Sequence, residues 1–258
     1  MRPVTRDISA IQLEHVEVTF GTRLILSDID LSVKHGEFVC IVGPSGCGKT
    51  TMLRLIAGLL DARDGRVMID GVAVRGPSPR VAMVFPDYER ALLPWRTVYG
   101  NVSLALEARG IEPAQHAERV KVLLEKVGLA DRAGAHPAKL SGDQQQRLQI
   151  ARCLAQDSAV LLMDEPFGAF DAMTRQALQN ELFGIVGGGV TVLFATHDLE
   201  EALYLGDRVI ALHGNPGRVA RSVDVPLPRP RDQLSTRENP DFLRLRRELF
   251  TVMEESRA

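Results

Sequence analysis

The segment GPSGCGKT, residues 43–50, constrains this chain more than any other. It fits the pattern G-x-x-x-x-G-K-[ST]. Before it lies an apolar run, EFVCIVG (37–43), and after it a helix-type pattern, KTTMLRLIAGLL (49–60). A strand that turns through glycines into a helix is the setting in which this pattern cradles phosphate. The glycines, Gly43, Gly46 and Gly48, let backbone N–H groups wrap around phosphate oxygens, and the helix start adds partial positive charge. Pro44, Ser45, Cys47 and Thr51 complete the cradle. Lys49 can reach β- and γ-phosphates, and the Thr50 hydroxyl can ligate Mg²⁺.

VLLMDE (160–165) supplies the complementary half. Four apolar residues read as a central strand, with Asp164 at its carboxyl end, where it can bind Mg²⁺ through water. Glu165 follows, placed to orient or deprotonate an attacking water. TVLFATH (191–197) is another buried strand ending in His197. In a parallel sheet the carboxyl ends of the strands share one rim, so His197 can approach a γ-phosphate from there.

Strand signals at 11–20, 25–33, 65–74, 80–85 and 208–212 surround these, with Asp70-Gly71 marking a hairpin. Residues 87–157 read as helical. The tail, 226–258, contains a proline-rich link and an amphipathic helix from about 240. Strands alternating with helices predict an α/β chain with a mostly parallel sheet covered on both faces. The chain of 258 residues suits one such domain with a helical insertion.

Net charge is −2, and no basic tract suggests nucleic-acid binding. Arg244 to Arg247 read as a solvated helix face. Cys40, Cys47 and Cys153 lack a paired spacing, which fits reduced thiols in a cytosolic protein. No apolar run approaches the length of a membrane span, and the first residues lack the apolar core of a signal peptide. A membrane role would therefore come through a partner.

In this order, GPSGCGKT, LSGDQQQR (140–147), VLLMDEPFGAFDA and ATHD resemble the ATP-binding subunit of an ABC transporter, over roughly residues 10–225. The resemblance implies a P-loop NTPase core with an N-terminal antiparallel β subdomain and a helical subdomain at about 87–157. It implies a single ABC-type ATPase domain over 1–258. It implies two subunits, as a homodimer, sandwiching two ATP molecules with Mg²⁺. Ser141 and Gly142 then match signature positions that contact the opposite γ-phosphate, and Asp171 lies in the loop that crosses the interface. Phe20 sits where an aromatic ring stacks on adenine; the alternative is a phenylalanine of the strand core. ALLPWRTVYGNV (91–102) and VPLPRPR (225–231) look like the import ATPases for nitrate, sulfonate and taurine. That likeness implies attachment to a permease at the cytoplasmic face of the membrane, served by an extracytoplasmic solute-binding protein. Trp95 and Arg96 are then candidates for the coupling surface; otherwise Trp95 packs locally and Arg96 is solvated.

Two residues depart from the family pattern. Asp143 replaces a signature glycine. A carboxylate about 6 Å from a phosphate charge at an effective dielectric of ~20 is repelled by on the order of 3 kcal/mol. The alternatives are a weakened ATP sandwich or an aspartate turned aside at a helix start. Pro86 replaces the glutamine expected in VFPDY (84–88) and cannot ligate Mg²⁺, while Asp87 is expected to point to the other side. These leave three readings. The first is a working import ATPase. The second is a nucleotide-binding subunit of weak hydrolysis, acting with a second ATPase subunit. The third, a soluble ATPase on nucleic acid, lacks the coiled-coil insertion or tandem cores it would need.

Overall fold

The computed structural model describes residues 9–255. Its first strands, β1 (Ile11–Phe20) and β2 (Arg23–Val33), form an antiparallel pair. Then come β3 (Phe38–Val42), α1 (Lys49–Ile56), β4 (Asp64–Ile69), β5 (Val72–Ala73) and β6 (Val81–Val84). Four α-helices intervene before the next strand, α2 (Tyr88–Ala91), α3 (Val98–Ala108), α4 (Pro113–Lys126) and α5 (Gly142–Leu154), with two short 3-10 turns between the last two. The chain continues through β7 (Val160–Asp164), α6 (Ala172–Val186), β8 (Thr191–Thr196) and α7 (Leu199–Leu205). It ends with β9 (Arg208–His213), β10 (Arg218–Asp224), α8 (Ser235–Glu238) and α9 (Pro240–Glu255).

Two sheets result. One is antiparallel, ordered β2-β1-β4-β5; the other is ordered β10-β9-β3-β8-β7-β6 and is parallel except for β10 on its edge. The central strands are buried on both faces, and their residues alternate between two cores. Cys40, Leu161, Met163 and Phe194 face the helices, whereas Val39, Ile41, Leu162 and Leu193 face α1 and the antiparallel sheet. This period of two explains why these strands read as continuous apolar runs. Because β3, β7 and β8 are parallel neighbours, their carboxyl ends deliver Gly43, Asp164 and His197 to one rim.

Several expectations need correction. The helix expected over 49–60 stops at Ile56, because Gly58 adopts a left-handed φ of 71° and Leu59 N–H returns to the Arg54 carbonyl at 2.9 Å. Strand β10 carried no recognised signal, since its pattern RVARSVD is mostly exposed on the sheet edge. The proline-rich stretch is a strap rather than a link. Arg231 donates to the carbonyls of Leu203 (3.1 Å), Tyr204 (2.8 Å) and Gly206 (2.8 Å), closing the carboxyl end of α7. Burial lowers its guanidinium pKa to about 10. Arg229 donates to Leu205 O at 2.8 Å and lies 3.9 Å over the Phe183 ring. Nor is 244–247 a wholly solvated face: Leu245 is buried and Arg246 pairs with Glu200 at 2.7 Å, beside Arg237 on the same carboxylate.

Candidate nucleotide site

The loop from β3 to α1 is shaped by Gly48, whose φ of 99° favours glycine and where a Cβ would stand 2.5 Å from Leu26 Cδ2. No side chain caps α1 and no acidic residue stands in its first turn, so its N–H groups face an open cavity of about 500 Å³. Phe20, Arg23, Ile25, Ser45, Gly46, Gly48, Lys49, Thr50, Thr51, Pro86, Asp164 and Glu165 line it. Phe20 is 49% exposed, which removes the strand-core alternative for its ring. Arg23 and Ile25 were not anticipated; they arrive because β2 folds back on β1, a long-range event that no local motif signals.

Lys49 is buried. Its ammonium donates to Gly43 O at 2.8 Å and Pro44 O at 3.3 Å, and lies 3.4 Å from Glu165 Oε1. A desolvated cation beside bare helix N–H groups is a strong anion receptor. Pro44 also accepts from Cys47 N–H at 3.3 Å, which tightens the loop. Burial pushes the Cys47 thiol up, so it is a packing residue rather than a nucleophile. All three cysteines are free and buried.

Asp164 Oδ1 accepts from Thr50 Oγ at 3.0 Å, while its Oδ2 is buried without a hydrogen-bond partner. Burial raises the Asp164 pKa, against the Thr50 hydrogen bond that lowers it. An orphaned carboxylate oxygen beside a threonine hydroxyl is a hard-oxygen donor set that fits Mg²⁺. Glu165 follows with a φ of 44°, a strained position for a residue with a Cβ. That twist sends its two oxygens to different partners. Oε1 faces Lys49, and Oε2 accepts a hydrogen bond from His197 Nδ1 at 3.0 Å. An ionised carboxylate only accepts, so the proton sits on Nδ1. The other ring nitrogen of His197 is left for another partner, and the residue is half exposed.

The structure does not bring Ser141, Gly142 or Asp171 to this cavity. They cluster elsewhere. A Cβ on Gly142 would meet Tyr88 Oη at 2.7 Å and the Phe170 ring at 3.3 Å, and those two rings stack with centroids 5.6 Å apart. A side chain at position 142 would therefore have to push these rings aside. Asp171 caps α6, accepting from Met173 N (3.0 Å), Thr174 N (3.1 Å) and the Thr174 hydroxyl (2.7 Å), which holds its carboxyl below the usual range. Ser141 donates its hydroxyl proton to Asp143 Oδ1 at 2.6 Å, and Asp143 Oδ2 lies 4.0 Å from Arg147. Asp143 is therefore engaged with the signature serine, not with backbone N–H groups.

Pro86 lines the cavity with no polar atom in its side chain, and Asp87 turns away to cap α2 through Arg90 N at 3.1 Å. Trp95 is 71% exposed, so it does not pack locally, and Arg96 is not free: it pairs with Glu107 at 2.9 Å and donates to Gly100 O.

The description "ABC transporter" belongs to the family that matches residues 26–168 of this chain. An uncharacterised ABC transporter ATP-binding protein of Methanocaldococcus jannaschii is 46% identical over 91% of this chain and 86% of its own length. An aliphatic sulfonates import ATP-binding protein of Xanthomonas axonopodis pv. citri is 47% identical, covering 87% of this chain and 89% of that protein. Among solved structures, a dimeric ATP-binding cassette in a post-hydrolysis state with ADP and phosphate is 32% identical. It superposes with a TM-score of 0.70 over 83% of this chain and 98% of that one. With the phosphate loop, the Asp164–Glu165 pair and His197 on one rim, this chain belongs to the ABC transporter family, as one of its ATP-binding and ATP-hydrolysing subunits.

Proposed function

We propose that the protein powers import of a small solute of the nitrate, sulfonate or taurine type through a separate membrane permease. The observation that carries the catalytic part is the Lys49–Glu165–His197 chain beside the Thr50–Asp164 pair. Phe20 stacks on adenine. The loop formed by Gly43, Pro44, Ser45, Gly46, Cys47 and Gly48, with Thr51, wraps the phosphates by its N–H groups, and Lys49 binds the β- and γ-oxygens. Thr50 and Asp164 hold Mg²⁺, which when bound neutralises phosphate charge. Glu165 orients the attacking water and takes its proton, and His197 contacts the γ-phosphate. Ser141, Gly142 and Asp171 act across a head-to-tail homodimer on the partner's nucleotide. The whole chain forms one ATPase domain, with 87–157 as its helical subdomain and 226–258 as its tail. No helix among the described residues is long and apolar enough to cross a membrane, so attachment is peripheral, at the cytoplasmic side, through the permease. Exposed Trp95 belongs to that contact. A solute-binding protein outside the membrane selects the cargo, and the relative named for sulfonate import supports that class.

A second reading, weak hydrolysis in concert with another ATPase subunit, is favoured by the 2.6 Å Ser141–Asp143 bond, which occupies the hydroxyl proton a phosphate would receive. Pro86 adds to it by removing a ligand for Mg²⁺. Mg-ATP turnover of the protein beside Asp143→Gly, Pro86→Gln, their combination and Glu165→Gln separates the two. Wild-type turnover well above Glu165→Gln, with changes under about threefold in the others, supports the working ATPase. Wild type at the Glu165→Gln level with recovery in the combined variant supports the second reading.

A further inference from the structure

We propose that Arg175, near the start of α6, is a positioning residue that ties the loop before α6 to the His197–Glu165 pair. Three observations lead there. Arg175 Nη2 donates to the carbonyl of Phe170 at 3.0 Å, in the loop between β7 and α6. Its other terminal nitrogen, Nη1, lies 3.5 Å from Asp198 Oδ2, one residue beyond His197. Its Nε is buried with no acceptor, so these two contacts orient the guanidinium, whose charge also acts on the buried Glu201 carboxylate. A rigid planar fork can hold two acceptors at a fixed mutual angle, which a lysine cannot do.

The two ends of this bridge lead to opposite parts of the molecule. On one side, the Phe170 ring stacks on Tyr88, and Gly142 of the signature segment sits against both rings. On the other, Asp198 links the end of β8 to the start of α7: its N–H donates to Thr196 Oγ1 at 3.0 Å, and its Oδ1 accepts from Glu200 N and Glu201 N at 2.9 and 3.1 Å. His197, attached to that anchored residue, bonds Glu165, and Glu165 faces Lys49. A contiguous path of packed rings, hydrogen bonds and ion pairs therefore runs from the signature segment to the phosphate loop inside one chain, with Arg175 at its middle. A displacement of the Phe170 loop moves the carbonyl that Arg175 holds and, through Asp198, the His197 ring. Arg175 touches neither the cavity nor any reacting atom, so its effect falls on turnover, not on nucleotide binding.

The inference rests on the assignment of Glu165 and His197 given above, and the experiment keeps the two separable. Steady-state turnover, ATP affinity and melting temperature are measured for the full chain as wild type, Arg175→Met, Arg175→Lys, Asp198→Asn, the Arg175→Met/Asp198→Asn double variant and Glu165→Gln. Asparagine retains the helix cap but loses the charge that Arg175 faces. Arg175→Met is expected to lower kcat about tenfold with ATP affinity within about twofold of wild type. Arg175→Lys remains at least about threefold slow because it lacks the fork. The double variant is no slower than the slower single one, as for two residues acting through one contact. The proposal is overturned if turnover of Arg175→Met or Arg175→Lys stays within about twofold of wild type, if the single effects multiply, or if ATP affinity falls in step with kcat. If Glu165→Gln keeps wild-type turnover, the catalytic assignment fails instead.

Discussion

Two helix starts in this chain are candidates for phosphate, and they are built in opposite ways. At α1 the N-cap is Gly48, no side chain caps the helix, and its first turn carries no acid. At α5 the N-cap is Ser141, whose N–H donates to Gln144 Oε1 at 3.1 Å and whose hydroxyl donates to Asp143. The macrodipole favours an anion at both ends. One end leaves that preference unmet and waits for an external anion; the other already holds a carboxylate of its own. A helix start is a receptor only to the extent that the chain declines to fill it.

The largest effect expected from this contrast comes from removing the chemistry at the open end. Glu165→Gln lowers ATP turnover by at least about two orders of magnitude, with binding retained, as initial-rate and equilibrium-binding measurements on one preparation will record. Closing the cradle comes next. Gly48→Ala forces a Cβ against Leu26 at a left-handed φ and weakens ATP binding at least about tenfold while costing on the order of 1–3 kcal/mol of stability. Titration calorimetry and chemical denaturation test both parts, and unchanged affinity would break the claim that open N–H groups make the receptor. Opening the filled end is a smaller change: Asp143→Gly frees the Ser141 hydroxyl and changes turnover by less than about threefold in the working ATPase proposed above, whereas a larger rise favours the weak-hydrolysis reading. A rate equal to wild type would mean that Asp143 is a neutral occupant of the helix start.

The smallest effect concerns Asp164. Its folded-state pKa is raised, chiefly by burial. A raised carboxyl pKa means that the folded state binds the proton more tightly than the unfolded one, so ionised Asp164 costs stability. The cost is full above the folded pKa, shrinks as pH falls through it, and vanishes below the unfolded pKa. Asp164→Asn therefore raises the melting temperature of the nucleotide-free protein at neutral pH, by a few degrees at most, and the gain disappears in acid. Thermal scans across pH check the sign.

How much of this was legible beforehand follows the same divide. The open end is local in sequence: strand, glycines, lysine and helix sit within residues 37–60, so its chemistry reads directly. Asp164 and Glu165 were equally plain at the end of an apolar strand. What the sequence concealed depends on side-chain choice or on distant pairing. Asp143 was expected either to face phosphate or to turn aside toward backbone donors, and its actual partner is a hydroxyl two residues away. The Tyr88–Phe170 stack, against which Gly142 sits, joins residues far apart along the chain. Arg23 and Ile25 reach the cavity only through the β1–β2 pairing, and β10 escaped notice because an exposed edge strand has no strict alternation.

The strap over α7 has a consequence for biosynthesis. Every phosphate-directed residue named above precedes position 200, yet α7, which begins two residues after His197, gains the side-chain donors at its carboxyl end from Arg229 and Arg231. A nascent chain thus displays the complete set of nucleotide motifs before the helix beside its histidine is secured. The segment that carries Arg229 and Arg231 is made after all of these motifs, so the support of that helix is completed only once the phosphate-directed residues are already in place.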